Sequence, residues 1–337
     1  MRIILSSISI LLILLSFKTS EPLFSVPKQW PKPNYNFKLN PLSPEKVELG
    51  KVLFYDTRLS KNNTISCASC HSQYSAFTHI DHALSHGIFD SIGKRNSPAL
   101  MNLAWQKTFM WDGAINNLDV QALAPISHPS EMASSIADVV NKLNTIKMYR
   151  TLFYKAFRDS VATGENTLKA ISQFMLTLVS ANSKYDNVKQ SEASFTEQET
   201  HGYQLFKQYC NSCHAEPLFT TNEFANNGLP IDKSLNDYGR VVISQNPTDS
   251  FKFKIPTLRN IEFSYPYMHD GRFKKLSEVL NHYTKGIHQY QNVANELKQP
   301  IVLNSNDKVD LIAFLLTLTD KEFVFNKKYS FPNKYFQ

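Results

Sequence analysis

The stretch ISCASCHSQYSAFTH, residues 65–79, places Cys67, Cys70 and His71 within five positions. Further along, QYCNSCHAEPLF, residues 208–219, repeats the arrangement with Cys210, Cys213 and His214. The two pentapeptides contain all four cysteines of the 337-residue chain. Four cysteines could pair as two disulfides in an oxidising compartment, and two C-x-x-C pairs could hold one zinc ion. Neither arrangement calls for a histidine directly after each pair.

A covalently attached haem does call for it. Two thiols three residues apart can add to the two vinyl groups of one porphyrin, and the adjacent histidine is then held beneath the macrocycle as proximal iron ligand. Two such motifs with no cysteine left over predict two c-type haems. One is attached through Cys67 and Cys70 with His71 as axial ligand, the other through Cys210 and Cys213 with His214.

The rest of the composition suits a globular protein, with 42% hydrophobic and 12% aromatic residues. The net charge of +7 is spread without a dense Lys/Arg run, so no nucleic-acid partner is expected. The N-terminus, MRIILSSISILLILLSFKTSEP, has one early cation and then an uncharged apolar run from Ile3 to Phe17. That length is short for a membrane span and right for the core of a secretory signal. Residues 1–20 are therefore expected to direct the chain to the periplasm, or to anchor it at the membrane if the signal is not cleaved.

The two halves repeat around the cysteine motifs. SPEKVELGKVLF (residues 43–54) precedes the first and TEQETHGYQLF (196–206) the second; each has a Ser/Thr cap, acidic residues, then Gly, two residues and Leu-Phe. Ser43 with Pro44 predicts an N-cap and first helical position, and Thr196 with Glu199 a capping box. PALMNL (98–103) answers PTLRNI (256–261), and MWDGAINNL (110–118) answers MHDGRFKKL (268–276), both at a step of 158 residues. FMLTL (174–178) answers FLLTL (314–318), each closing an amphipathic helix. The repetition predicts a mainly α protein of two helical domains, 21–190 and 191–337, each around one haem, with a boundary in the polar NSKYDNVKQSEAS. Few stretches alternate in polarity, so little sheet is expected, and the aromatic tail FVFNKKYSFPNKYFQ is expected to pack back across a domain.

These residues resemble the bacterial di-haem cytochrome c peroxidase family, including its MauG-like branch. The resemblance runs from about Pro41 to Asp320, through both CxxCH sites, GKRNSPAL, FMWDG, SANSKYD, PTLRN, YMHDGRFKKL and AFLLTLTD. It implies two cytochrome c-like domains and reduction of hydrogen peroxide to water. The N-terminal haem would be the peroxidatic one, and the C-terminal haem would take electrons from a small cytochrome c or cupredoxin. A homodimer stays open.

By the same resemblance Trp111 is an electron relay between the haems and Glu131 of SHPSEM the distal-pocket acid. A buried carboxylic acid suits the proton transfers that peroxide cleavage needs. The plainer readings are a solvated loop carboxylate beside Pro129 and an aromatic core residue. The repeat has His269 at the place of Trp111, a difference that packing alone does not require. A calcium ion is implied through the Asn96 side chain and the main-chain oxygens of Lys254 and Pro256; Asn96 could equally cap the RNSP turn.

The sixth ligands depart from the pattern. The distal histidine position of the peroxidase branch falls on Ile88, with His86 two residues away and His79 and His82 near, so the alternatives are His86 on the iron or an open haem. At the second haem, Tyr283 of VLNHYTKG matches the tyrosine of the MauG-like branch, with Met268 as competitor and His282 and His288 open. An oxygen ligand would lower the haem potential relative to methionine. Two rival functions follow: a MauG-like oxidase acting on a protein or organic substrate, and a non-catalytic di-haem electron carrier.

Overall fold

Ser43 and Thr196 start the two helices that lead into the cysteine motifs. In the computed structural model, which describes residues 22–336, helix α1 spans Pro44–Tyr55. Ser43 Oγ accepts the Lys46 N–H at 3.2 Å, and Pro44 takes the first helical position, where its missing N–H is no loss. Helices α2 (Cys67–Cys70), α3 (Leu118–Gln121), α4 (Leu123–Ser127), α5 (Ile136–Thr145), α6 (Lys147–Phe157) and α7 (Gly164–Leu176) complete the first half. After α8 (Lys184–Lys189), the second half opens with α9 (Glu197–Tyr209). Its capping box is formed: Glu199 Oε2 accepts from Thr196 N at 2.7 Å, and Thr196 Oγ1 from Glu199 N at 3.2 Å.

Strand β1 (Phe224–Ala225), α10 (Val241–Ser244), β2 (Phe253–Lys254), α11 (Leu276–Asn281), α12 (Ser305–Leu316) and α13 (Lys321–Val324) follow. Among the described residues, strand is confined to the antiparallel β1–β2 pair and a few isolated bridges. The mainly α class expected from the sequence is the one observed. The expected export signal, residues 1–20, lies outside the described residues.

The glycine shared by the two leader segments has a packing reason. A Cβ on Gly50 would lie 1.8 Å from the Ala170 carbonyl oxygen, and one on Gly202 would lie 2.0 Å from that of Asp310. So α1 crosses α7, and α9 crosses α12, at backbone contact, which only a residue without a side chain allows. Gly50→Ala and Gly202→Ala are each expected to cost about 1–3 kcal/mol through overpacking, read as a lower denaturation midpoint of the haem-loaded protein.

Repetition extends to the backbone. Phe109 bridges Ile115 as Tyr267 bridges Phe273. Asn102 and Asn260, Met110 and Met268, and Gly113 and Gly271 all have φ between 55° and 75°. The Asp-Gly after each methionine makes the turn: Asp112 Oδ1 accepts Ala114 N at 3.0 Å, and Asp270 Oδ1 accepts Arg272 N at 3.3 Å. Met110 and Met268 therefore share a left-handed turn geometry as well as an identity.

Two apolar clusters fill the halves. One gathers Leu49, Leu53, Phe77, Met101, Trp105, Phe153 and Phe174; the other Tyr185, Phe206, Phe219, Leu311 and Phe314. The aromatic tail returns to the first, as expected: Phe323, Val324 and Tyr329 join its core, and Gln73 Nε2 donates to the carbonyls of Val324 and Asn326. A buried ion pair ties SANSKYD to PTLRN. Arg259, 0% exposed, makes a two-pronged contact with Asp186 at 2.8 and 2.9 Å and also donates to the Pro217 carbonyl.

Candidate haem and peroxide sites

The first cysteine motif is a single helical turn, α2, which brings Cys67 and Cys70 onto adjacent positions of one short helix and ends at His71. Ser66 N donates to Ser69 Oγ at 3.0 Å, and the His71 N–H closes the turn on the Cys67 carbonyl at 2.9 Å. His71 Nδ1 donates to the Phe77 carbonyl at 2.9 Å. That bond sets the tautomer and leaves the Nε2 lone pair free for a metal. Burial pushes the His71 pKa down to about 4, so the ring stays neutral, as an iron ligand must.

The second motif follows α9 as a turn. His214 Nδ1 reaches the carbonyls of Phe219 at 3.3 Å and Pro256 at 3.1 Å, and burial again lowers its pKa to about 4. None of the four cysteines pairs as a disulfide. Burial raises Cys67 and Cys210 to about 12 and Cys70 to about 11, and raises Cys213 as well. Unpaired thiols at three-residue spacing, each pair beside an imidazole with its Nε2 free, fit two covalently attached haems.

Glu131 comes to the first motif through a tight turn. Ile88 N donates to the Glu131 carbonyl at 2.9 Å. A Cβ on Gly87 would lie 2.2 Å from the Ser130 oxygen and 2.6 Å from Glu131 Cα. The same turn offers the His86 carbonyl to Cys70 Sγ at 3.4 Å. The Glu131 carboxyl bears on both thiols, raising their pKa values. Burial raises its own pKa, opposed by His128, whose Nδ1 lies 3.8 Å from Glu131 Oε1. Gly87 was not legible as part of this site, because its importance lies in the approach of a distant loop.

The histidines near this turn sort themselves out. Ile88 is buried at 2% exposure. The His86 ring stacks on His82 with centroids 4.0 Å apart, and His82 Nδ1 meets His79 Nε2 at 3.2 Å. His86 thus meets Cys70 through its backbone while its ring joins this column of histidines.

At the second motif Tyr283 lies in the π-helical turn His282–Gly286 that continues α11, a local irregularity common at functional sites. Burial pushes its phenol up to about 12; an Asn227 contact opposes this, and the Cys210 and Cys213 thiols add to it. Asn227 also donates from Nδ2 to Met268 Sδ at 3.5 Å, and its carbonyl meets His282 Nε2 at 3.0 Å. Tyr283 and Met268 therefore converge on Asn227, a residue that no local motif announced. His288 reaches the same loop through its backbone, its N–H donating to the Gly228 carbonyl at 2.8 Å, while its ring lies against Tyr290 with centroids 4.3 Å apart.

Between the halves, Trp111 Nε1 donates to the Asn96 carbonyl at 2.8 Å, and the Trp111 carbonyl accepts from Lys254 N at 2.7 Å. Arg95 bridges Asp112 and Asp237, both at 2.6 Å. Asn96 and Lys254 thus meet at Trp111. The Asn96 side chain donates to the Ala83 carbonyl at 3.0 Å, and the Pro256 carbonyl accepts from His214.

The sequence model of the di-haem cytochrome c peroxidase family matches residues 44–194. The methylamine utilization protein MauG of Methylorubrum extorquens is 36% identical over 307 residues, covering 88% of this chain and 83% of that protein. The cytochrome c551 peroxidase of Nitrosomonas europaea is 34% identical over 291 residues, 83% of this chain and 82% of that one. Among solved structures, a MauG-like protein associated with microbial copper homeostasis superposes with a TM-score of 0.82 at 33% identity, covering 92% of this chain and 99% of its own. With the paired CxxCH motifs, the repeated helical halves and this likeness along most of its length, the chain belongs to the di-haem cytochrome c peroxidase family.

Proposed function

We propose that this chain is an exported di-haem peroxidase that reduces hydrogen peroxide to water with electrons from a small cytochrome c or cupredoxin. The observation that carries the reading is the tight approach of Glu131 to the Gly87–Ile88 turn, whose neighbouring His86 carbonyl meets Cys70 Sγ at 3.4 Å, together with the raised pKa of its carboxyl. Haem bound through Cys67, Cys70 and His71 would supply the iron that binds peroxide and accepts and delivers electrons. His71 would be held in register by its Nδ1–H bond to Phe77. Glu131 would take the proton from the near oxygen of peroxide and return it to the far oxygen, so that this oxygen leaves as water. Two electrons and two protons then account for two waters.

Cys210, Cys213 and His214 would hold the electron-entry haem, with Tyr283 as sixth ligand. The convergence of Tyr283, Asn227 and both thiols supports tyrosine, and Met268 on the same Asn227 is the competitor. At the first motif, the stacking of the His86 ring on His82 supports the reading in which His86 would not be a haem ligand. Trp111 would carry electrons between the sites. Trp111→Phe is expected to slow electron exchange between the haems while leaving peroxide binding unchanged, as measured by rapid-mixing spectroscopy. A calcium ion on the Asn96 side chain and the Lys254 and Pro256 carbonyls would brace the same junction.

The test is oxidation of a reduced small cytochrome c by peroxide in the presence of the haem-loaded protein. The proposal expects two donor equivalents consumed per peroxide. Tyr283 also favours a second reading, a MauG-like oxidase acting on a protein or organic substrate. In that case peroxide is consumed without the donor and a second substrate is oxidised. A non-catalytic electron carrier consumes no peroxide at all.

A further inference from the structure

The two-residue strand β2 reaches Trp111 from two sides. Successive strand residues point to opposite faces. On one face the Phe253 ring stacks on the His269 imidazole, with centroids 3.6 Å apart and planes 12° from parallel. The His269 carbonyl accepts the Asn96 N–H at 2.7 Å, and the Asn96 carbonyl accepts the Trp111 indole N–H at 2.8 Å. From the other face, the Lys254 amine donates to Gln106 Oε1 at 2.7 Å and to the Thr108 carbonyl at 2.8 Å. The Lys254 backbone N–H meanwhile holds the Trp111 carbonyl at 2.7 Å. The turn leading to Trp111 and the Trp111 carbonyl are therefore fastened directly to a single strand of the second half, and the indole N–H is linked to it through Asn96 and His269.

Lys254 is the unexpected member of this set. Its side chain is half-buried, and its amine spends both of its hydrogen bonds on the turn before Trp111. Holding a cation partly out of water is costly, and an apolar side chain of similar shape would fill the space without that cost. Space filling alone does not call for an ammonium here. Two hydrogen bonds to the 106–108 turn do.

We propose that Lys254 is a positioning residue for Trp111, fixing from the second half the segment and the indole orientation on which transfer between the two haem sites depends. The proposal rests on the reading of Trp111 as the relay, and the experiment separates the two claims. It uses the haem-loaded protein and ultraviolet resonance Raman spectroscopy, in which tryptophan bands report the strength of the indole N–H hydrogen bond. The Trp111 contribution is identified by its loss in Trp111→Phe.

In Lys254→Met, the Trp111 band is expected to shift toward a weaker hydrogen bond, and electron exchange between the haems to slow by roughly tenfold, as for a modest misplacement of a reacting group. An unshifted band overturns the positioning role, whatever the rate. Unchanged exchange in Trp111→Phe instead overturns the relay reading, and the band still decides the role of Lys254. If the methionine variant does not accumulate, Lys254→Gln is read the same way: a displaced band supports the proposal and an unshifted one overturns it.

Discussion

Glu131→Gln is expected to lower peroxide turnover by about 10²–10⁴-fold, the usual contribution of a positioned acid–base group, while both haems stay attached. The amide keeps the size of the carboxyl and its place behind Gly87, so packing is preserved and only the proton transfer is lost. The pH dependence adds a second signature. Glu131 must be a carboxylate to accept the peroxide proton, and burial raises its pKa. The acid limb of the rate should therefore lie above the ordinary glutamate range of about 4.3, and it should vanish in the glutamine variant. Loss of haem from Glu131→Gln would instead assign the residue a structural role.

Arg259→Met is expected to give the largest loss of stability, about 3–5 kcal/mol, because it leaves the Asp186 carboxylate buried without its partner. Burial alone would raise the Asp186 pKa, but the hydrogen bonds and charge of Arg259 outweigh it and hold the carboxyl below its ordinary value. A depressed folded-state pKa gives stability that is fully present above the unfolded value of about 3.9 and is lost as pH falls through the folded one. Denaturant unfolding of the haem-loaded protein should show this loss at neutral pH, shrinking under acid. The double variant Arg259→Met with Asp186→Asn should recover part of it, since removing both charges removes the unpaired one.

What could be read from the chain alone follows from how contiguous each feature is. Covalent haem attachment needs two thiols and a histidine at fixed short spacing, so both sites stood out as pentapeptides. The repeated Met-x-Asp-Gly segments were visible for a similar reason, because a left-handed turn closed by Asp-Gly is local chemistry. The leader glycines were visible as a pattern, but their cause was hidden. It lies in the Ala170 and Asp310 carbonyls, which other helices bring to them.

Asn227 was illegible for the same reason. It sits in no motif and becomes important only when the fold brings Met268, Tyr283 and His282 to it. Lys254 shows the opposite case. It was singled out for its main-chain oxygen, whereas the structure gives its side chain and its N–H to the segment around Trp111. Charge pairs such as Arg259–Asp186 join residues far apart in the chain, which one sequence cannot couple.

The central claim, that peroxide is cleaved at the site of Cys67, Cys70 and His71, is tested most directly by rapid-mixing measurement of peroxide consumption in His71→Ala and His214→Ala. Haem content is determined on the same samples. His71→Ala is expected to consume no peroxide even with its haem attached, whereas His214→Ala still reacts in a first turnover and fails only when electrons must be resupplied. Peroxide consumption by His71→Ala at the rate of the unmodified protein would contradict it.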